Sequence, residues 1–436
     1  MIKAGLDIGN NKISCVVADY KGPSNTNILS IKSTPTTNIK KNIILDYDNL
    51  LYQIKTLIEE TEKESQTKIN SLNINISLLN SISHYYESDL KINNDKITNL
   101  HIKKIVNQSE YFNNDPNHYE LFNNIISYEI DKRQHYIAPI GNYSDSLKIN
   151  FYKILLQKKY IENFTNILNK LKFNVENFIP SPLSSSLSSL TKDEKELGSI
   201  CIDLGHSTSS IAVFQNNKFI YGDTISVGSN NITLDIARGV STTISSAERL
   251  KTLYGSLISS PSDEHEVIEI PIISGEKNSF NQITRANINA IIKPRVEETL
   301  EMLWQKIKDN NFNNKKISNV VITGGGAQLD NLEKYVSLIF ANSTRIAKPL
   351  TQFNLKKDYY RSNFCDILGT ILYDENIYKL NFFTKGHNLR KNTGISSFFS
   401  WLDQYIWVIL YLVKVIDGFD IKPLKTYLNG GELNDN

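Results

Sequence analysis

The sequence predicts an α/β protein, on the strength of three short glycine-bearing stretches set far apart: residues 4–20 (AGLDIGNNKISCVVADY), 199–214 (SICIDLGHSTSSIAVF) and 320–329 (VVITGGGAQL). Each joins an apolar, strand-like run to a tight turn. In the first two an Asp lies just ahead of a Gly, Asp7 before Gly9 and Asp203 before Gly205. Such a strand–turn–strand hairpin can wrap phosphates with its backbone N–H groups and leave the Asp to hold a metal-bound water. The third stretch carries Gly324, Gly325 and Gly326 in a row, so no side chain keeps a planar base or sugar off the backbone. One DxG turn is commonplace. Three such stretches in this order form a specific signal.

At 436 residues the chain accommodates two domains of ordinary size or one bilobal, enzyme-like body. Its 40% hydrophobic and 22% charged residues are those of a globular protein, and a net charge of +2 gives no reason to expect nucleic acid as a partner. Cys15, Cys201 and Cys365 lie far apart without ligand-like spacing, so they are expected to be reduced core residues of a cytoplasmic protein. The chain opens directly into a strand over residues 2–6, with no signal peptide expected before it.

Residues 48–64 place Leu50, Ile54, Leu57 and Ile58 on one helical face. Strands before this helix and over 72–78 after it give a β-β-α-β opening. Residues 84–173 then change texture: a helix over 97–106, a polar Asn/Asp loop, an alternating strand (Leu147, Ile149, Phe151) and a helix presenting Ile161, Phe164, Leu168 and Leu171. This reads as a compact α+β insertion with its own small core. The Ser-rich run 181–191 (SPLSSSLSSLT) suits a flexible linker, but Leu183, Leu187 and Leu190 recur at helical spacing and favour a short connecting helix. Residues 245–254 and 285–309 read as helices, and 256–281 as a polar stretch with short β-like runs. The body ends near Tyr373, and a basic stretch with Lys385, Arg390 and Lys391 follows.

Residues 398–417 differ in kind. Ser400, Asp403, Gln404, Lys414 and Asp417 fall near one helical stripe, and the rest is apolar, with Phe398, Trp401, Leu402, Tyr405, Ile406, Trp407 and Ile409 as its membrane-facing candidates. The uninterrupted apolar run 405–413 is too short to cross about 30 Å of hydrocarbon. A helix lying in the membrane interface fits best, with its aromatics at headgroup level. A core helix folded back on the body and a tilted transmembrane segment are the other readings.

Two phosphate hairpins at either end of a duplicated α/β body, with a Gly-rich adenosine loop, resemble the actin/Hsp70/sugar-kinase superfamily. Within it, LTKDEKELGSICIDLG, DIARGVSTTISSAERLKTLYGS, IIKPRVEE and VVITGGGAQLDNLEKYV are similar to the FtsA family of bacterial division proteins. The resemblance covers most of residues 1–373, and the tail agrees with the family in type rather than in sequence. It implies an actin-like bilobal fold with duplicated ribonuclease-H-like domains. Residues 1–83 would form the first part of lobe 1 (subdomain 1A), 84–173 an inserted subdomain 1C, and 174–198 a connecting helix. Residues 199–373 would form lobe 2 (2A and 2B) with a return to lobe 1, followed by a linker (374–397), an amphipathic membrane-targeting helix (398–417) and a polar tail (418–436).

Carried over residue by residue, the resemblance implies ATP and Mg2+ in the cleft. Asp7 and Asp203 would stand near the magnesium waters. Gly9, Asn10, Asn11 and Lys12 would surround the β- and γ-phosphates, and Gly205 and Thr208 would complete the second hairpin. Glu248 and Lys251 would reach the ribose, Gly324, Gly325, Gly326 and Gln328 would bracket the adenosine, and Gly228 would begin a segment closing over the nucleotide. The implied partners are further copies of the chain in filaments, lipid at the cytoplasmic face of the inner membrane, other divisome proteins, and the FtsZ C-terminal peptide, for which Arg295 and Glu298 are the candidate contacts. For those two residues the plain alternative is a pair of solvated charges on a long helix.

The departures from the family pattern matter. Family members usually carry a run of glycines where this chain has Gly205–His206–Ser207. The hydrolytic Gln of actins has no evident counterpart, and a rough register places Asn177 there. Phosphoryl transfer to water needs that water positioned, so ATP binding with slow or no hydrolysis is expected, and no catalytic residue is assigned. The tail lacks the basic face common in the family; Lys385, Arg390 and Lys391 would attract anionic lipid instead, at about 1 kcal/mol each near the surface. Two other classes stay open: a pilus-assembly scaffold resembling PilM, and an ATP-dependent small-molecule kinase of the same superfamily.

Overall fold

The computed structural model describes residues 1–109, 115–271, 280–310, 312, 317–340, 342–350, 353 and 355–378. The expected helix over 398–417 and the basic stretch ahead of it lie outside the described residues.

The chain opens with three antiparallel strands, β1 (Ile2–Ile8), β2 (Lys12–Tyr20) and β3 (Thr26–Pro35), then a small hairpin, β4 (Ile39–Lys40) and β5 (Ile43–Ile44). Helix α1 (Tyr47–Ser65) is capped by Asp46, whose carboxylate accepts the Asn49 N–H, and it buries the predicted Leu50, Ile54, Leu57 and Ile58. Strand β6 (Ser71–Ile76) then pairs parallel with β1. The expected β-β-α-β opening is thus β-β-β-α-β within this sheet. Strand β3 escapes sequence reading because its buried and exposed residues do not alternate cleanly, the pairing with β2 slipping at Val17/Ala18.

A second sheet follows: β7 (Ile82–Lys96), helix α2 (Asn99–Ser109), β8 (His118–Ile130), β9 (Arg133–His135) and β10 (Tyr143–Gln157). Its order is β7-β10-β8-β9, and it carries a separate apolar cluster in which Ile97, Ile105 and Val106 pack on Leu147, Ile149 and Phe151. Helix α3 (Lys158–Lys170) leads into β11 (Asn174–Pro180), which returns to the first sheet beside β6, giving the order β11-β6-β1-β2-β3.

The Ser-rich run folds as helix α4 (Ser181–Ser189), buried over its length beyond the first residue. Its hydroxyls are satisfied locally: Ser186 Oγ donates to Pro182 O at 2.6 Å and Ser189 Oγ to Ser185 O at 2.6 Å. Helix α5 (Lys192–Leu197) carries a Thr191–Glu194 capping box.

Then β12 (Ser199–Leu204), β13 (Ser209–Gln215) and β14 (Lys218–Ile225) repeat the opening pattern, followed by α6 (Ser229–Gly239) and α7 (Ile244–Tyr254). The polar stretch after α7 contains a hairpin, β15 (Val267–Pro271) with β16 (Phe280–Thr284), and runs into α8 (Arg285–Asp309), whose bounds match the sequence expectation. Strand β17 (Asn319–Thr323), α9 (Leu332–Phe340) and β18 (Ser343–Ile346) complete a sheet of order β14-β13-β12-β17-β18. Helix α10 (Cys365–Leu372) goes back to the first sheet, and a short α11 (Glu375–Tyr378) buries Tyr378 against Tyr373.

The two five-stranded sheets are the same object built twice. In each, a central strand pairs antiparallel with the next strand and parallel with a later one: β1 with β2 and β6, β12 with β13 and β17. Cys15, Cys201 and Cys365 are buried thiols, as expected.

Two contacts fix what surrounds the cleft. Helices α4 and α10 cross so closely that a Cβ on Gly369 would stand 1.8 Å from Ser184 O, and Ser188 Oγ reaches Cys365 O at 2.6 Å. On the outer flank the second sheet leans on edge strand β14. The Tyr152 hydroxyl accepts the Gly222 N–H at 2.9 Å and lies 3.1 Å from Gly222 O, while Tyr85 donates to Ile220 O at 2.7 Å.

Candidate functional site

Both duplicated sheets end their central strand at the same cleft, and the turn that follows closes the same way in each. Gly9 N donates to Lys12 O at 3.0 Å, and Gly205 N donates to Thr208 O at 3.0 Å. A side chain would break either closure, since a Cβ would lie 2.9 Å from Lys12 O at Gly9 and 2.7 Å from Thr208 O at Gly205. The second turn is braced from behind by the start of α6: Ser229 N and Asn230 N donate to Gly205 O and His206 O at 2.9 and 2.8 Å.

The cavity between the turns, about 260 Å3, is lined by Asp7, Gly9, Asn10, Asn11, Lys12, Asp203, Gly205, Thr208, Gly324 and Gly325, all among the predicted residues. Lys12 is held over it, its ammonium 3.0 Å from Asn363 O and 4.8 Å from the Phe364 ring centre. A second cavity of about 570 Å3 is lined by Glu248, Lys251, Gly326 and Gln328. Asn11, His206 and Gly325 line both, so the two spaces adjoin.

Lys251 is fixed by Glu248 Oε2 at 2.7 Å, Thr233 Oγ1 at 2.9 Å and Ser229 O at 3.3 Å. Burial works against the charge on Glu248, but the Lys251 and Thr233 hydrogen bonds hold its pKa below the ordinary range. Gly324 (φ +89°) sits so close to the floor that a Cβ would stand 2.2 Å from Asp203 Oδ1. Gly325 has open space around it.

Two predicted groups fall elsewhere. Gly228 lines neither cavity; it lies behind the second hairpin, where a Cβ would meet His206 O at 2.5 Å. Arg295 and Glu298 sit on α8, where Arg295 pairs with both Asp235 and Glu298. The register that put Asn177 in the hydrolytic position is corrected. Asn177 is buried within the first sheet, donating to Asn73 Oδ1 at 3.0 Å, and Ser181, the first residue of α4, lines the cleft instead. A bulge between Val175 and Asn177 shifts the pairing of β11 with β6.

The sequence reading missed Asp366, Asn75 and Asn363. Asp366, on α10, meets Asp203 carboxyl to carboxyl. Its only sequence trace is an acid inside the apolar run FCDILGTIL. Burial raises the pKa of Asp7 against the opposing Asn75 hydrogen bond and Lys12 charge. Burial likewise pushes Asp203 up to about 6, with the Asp366 hydrogen bond and Lys12 opposing and Asp7 adding to the rise. Asp366 goes well above the carboxylate range, through burial and then through the charges of Asp203 and Asp7.

Oδ1 of Asn75, Asp203, Asn363 and Asp366 are buried without a hydrogen-bond partner. An all-oxygen donor set with unfilled acceptors suits a hard, hydrated divalent cation. Among the described residues no group of three or more His, Cys, Asp and Glu is arranged to grip an ion directly.

The same architecture occurs in solved structures. A chain of the PilM–PilN type IV pilus biogenesis complex matches with a TM-score of 0.61 at 14% identity, over 85% of this chain and 97% of that one. MreB5 of Spiroplasma citri, bound to ADP, matches with a TM-score of 0.50 at 15% identity, over 86% of this chain and 97% of that one. Doubled sheets, paired hairpins and these likenesses define an actin-like fold. The family described as Cell division protein FtsA matches residues 200–369. The cell division protein FtsA of Agrobacterium fabrum is 28% identical over 381 residues, 85% of this chain and 86% of its own length. The chain is similar to cell division protein FtsA over most of its length, on an actin-like fold.

Proposed function

We propose that this chain binds ATP with Mg2+ in its cleft and serves in cell division by tethering FtsZ filaments to the membrane. The observation that supports nucleotide binding best is the pair of identically closed hairpins facing one cleft, with Lys12 between them. Their backbone N–H groups and the Lys12 ammonium would receive the phosphates. Asp7 and Asp203 would orient the water shell of the cation, which supplies charge neutralisation of the polyphosphate when bound. Glu248 and Lys251 would hold the ribose, and Gly324 to Gly326 with Gln328 the adenosine. Ser181 carries a hydroxyl on a single carbon where actins reach in with a longer amide, so turnover of ATP is slow or absent.

ATP spanning both hairpins favours the closed arrangement of lobes, a population shift rather than a power stroke. The sheet of β7 to β10 would be the counterpart of subdomain 1C. Closed protomers associate into filaments at the division site, on the cytoplasmic face of the inner membrane. Residues 398–417, for which the sequence predicts an amphipathic helix, would lie in the membrane interface; each such helix would bind marginally, and repetition along a filament would supply avidity. The FtsZ C-terminal peptide docks at the α8 surface around Arg295 and Glu298, and other divisome proteins join the assembly. Among the described residues no helix is long and apolar enough to cross a membrane.

The test is liposome co-sedimentation with purified FtsZ, comparing the full chain with one ending at Arg390. The full chain is expected to carry FtsZ down, and the truncated one to leave both in solution. FtsZ left behind by a sedimenting full chain would overturn the tether reading, and capture of a pilus-protein tail instead would favour a PilM-like scaffold.

A further inference from the structure

His206 is the cleft residue that neither the fold nor the expected glycine turn accounts for. It occupies the apex of the second hairpin and lines both cavities, at the junction between the phosphate-sized space and the one holding Glu248 and Lys251. Its backbone is pinned. His206 O accepts the Asn230 N–H at 2.8 Å, and Gly228 packs so tightly beneath that a Cβ there would lie 2.5 Å from His206 O. The imidazole therefore cannot be carried away from the cleft by movement of its own turn.

Resting on the nucleotide reading above, we propose that His206 is a polyphosphate-binding residue: its ring takes up a proton as the nucleotide enters and donates a hydrogen bond to a phosphate oxygen. The charges around the ring decide the sign. From α7, Lys251 repels a proton on it and Glu248 attracts one. Lys12, Asp7, Asp203 and Asp366 line the neighbouring phosphate cavity, and Arg285 and Asp330 the far part of the second one. With no anion present, burial and Lys251 keep the ring pKa below its ordinary value. A polyphosphate adds several negative charges beside it and reverses that balance. Affinity should then rise as pH falls through the interval between the two ring pKa values.

The setting of the turn also leaves room for an imidazole. Two cavities meet at His206, so the ring has space at their junction from which to reach a phosphate oxygen. The consequence is one more protonation step in the nucleotide site, which a glycine turn would lack.

The experiment is isothermal titration calorimetry of Mg-ATP into the full chain and into His206→Gln, which keeps a hydrogen-bond donor but cannot charge. Each titration is run at about pH 6 and about pH 8, and at about pH 7 in two buffers of different ionisation enthalpy, to count protons. The wild-type chain should bind about tenfold more tightly at the lower pH and take up a substantial fraction of a proton. The variant should show a shallower slope and take up fewer protons, those that remain belonging to Asp203 and Asp366. Equal slopes and proton counts in the two proteins would overturn the inference while leaving nucleotide binding intact. So would zero proton uptake by the wild-type chain alone, whatever the fate of the variant. Absence of any ATP binding by the wild-type chain would overturn the nucleotide reading, and this inference with it.

Discussion

Asp203 and Asp366, from different elements, face each other carboxyl to carboxyl at the floor of the cleft. Each keeps one buried oxygen without a partner, and burial raises both pKa values. A carboxyl whose pKa rises on folding costs stability as pH climbs through the raised value. For Asp203 that window runs from 3.8 to about 6, and Asp366 extends it upward. Replacing Asp366 with Asn should therefore stabilise the protein without nucleotide by about 1–2 kcal/mol near pH 7.5, read as a few degrees in Tm. The gain should shrink toward zero well below the unfolded value of 3.8, where both wild-type carboxyls are protonated in either state. Thermal melts across pH check this, and a gain independent of pH would contradict it.

Gly369 offers a sharper test of packing. With Ser184 O only 1.8 Å from where its Cβ would stand, Gly369→Ala forces α4 and α10 apart. A loss of about 3 kcal/mol or more is expected in urea unfolding. Gly325→Ala, at a glycine with open space around it, should leave unfolding within about 0.5–1 kcal/mol of wild type, the ordinary cost of a tolerated change.

Lys12 reaches across to a backbone carbonyl rather than to a carboxylate. Its replacement by Met keeps the apolar stem and removes the charge. Affinity for Mg-ATP should fall about 10- to 100-fold, the equivalent of a lost hydrogen bond between charged groups, while the melting temperature without nucleotide changes little. Unchanged affinity in equilibrium binding would remove Lys12 from the site.

Tyr152 tests the flank. Its hydroxyl serves both polar groups of Gly222 on an edge strand and also lies 3.1 Å from Ser83 Oγ. Tyr152→Phe leaves these groups buried and unpaired, at a cost of about 1–3 kcal/mol. Hydrogen exchange at the Gly222 amide should accelerate well beyond that at the centre of β12. Equal protection in variant and wild type would show that water replaces the hydroxyl there.

Much of this site was legible because glycine leaves a written record of close approach. Gly9, Gly205 and Gly324 are each required by an atom within 3 Å of the missing Cβ, and the sequence shows them directly. The long helix Arg285–Asp309 was legible for a different reason: its apolar period runs unbroken and Thr284 caps it. Asp366, Asn75 and Asn363 were not legible, because they belong to no local motif and reach the cleft only through tertiary packing. Asn177 was misplaced because β11 runs on to Pro180 and only Ser181, at the start of α4, reaches the cleft; a register counted along the chain carries no sign of where the strand ends. The Ser-rich segment carries two opposed signals, a linker-like composition and a helical leucine spacing. Burial decided for the helix, whose serines bond to carbonyls of their own turn or of α10.

Helix α4 touches both duplicated sheets, while α10 packs on the first. At their crossing stand Ser184, Ser188 and Gly369, side chains at most one heavy atom beyond Cβ. Longer side chains at a pivot have rotamers to unlock and repack whenever the parts they join turn against each other. Here there is almost nothing to unlock. A joint of this kind would behave as a thin hinge pin, along which the two sheets could turn with few side chains to rearrange at the crossing itself.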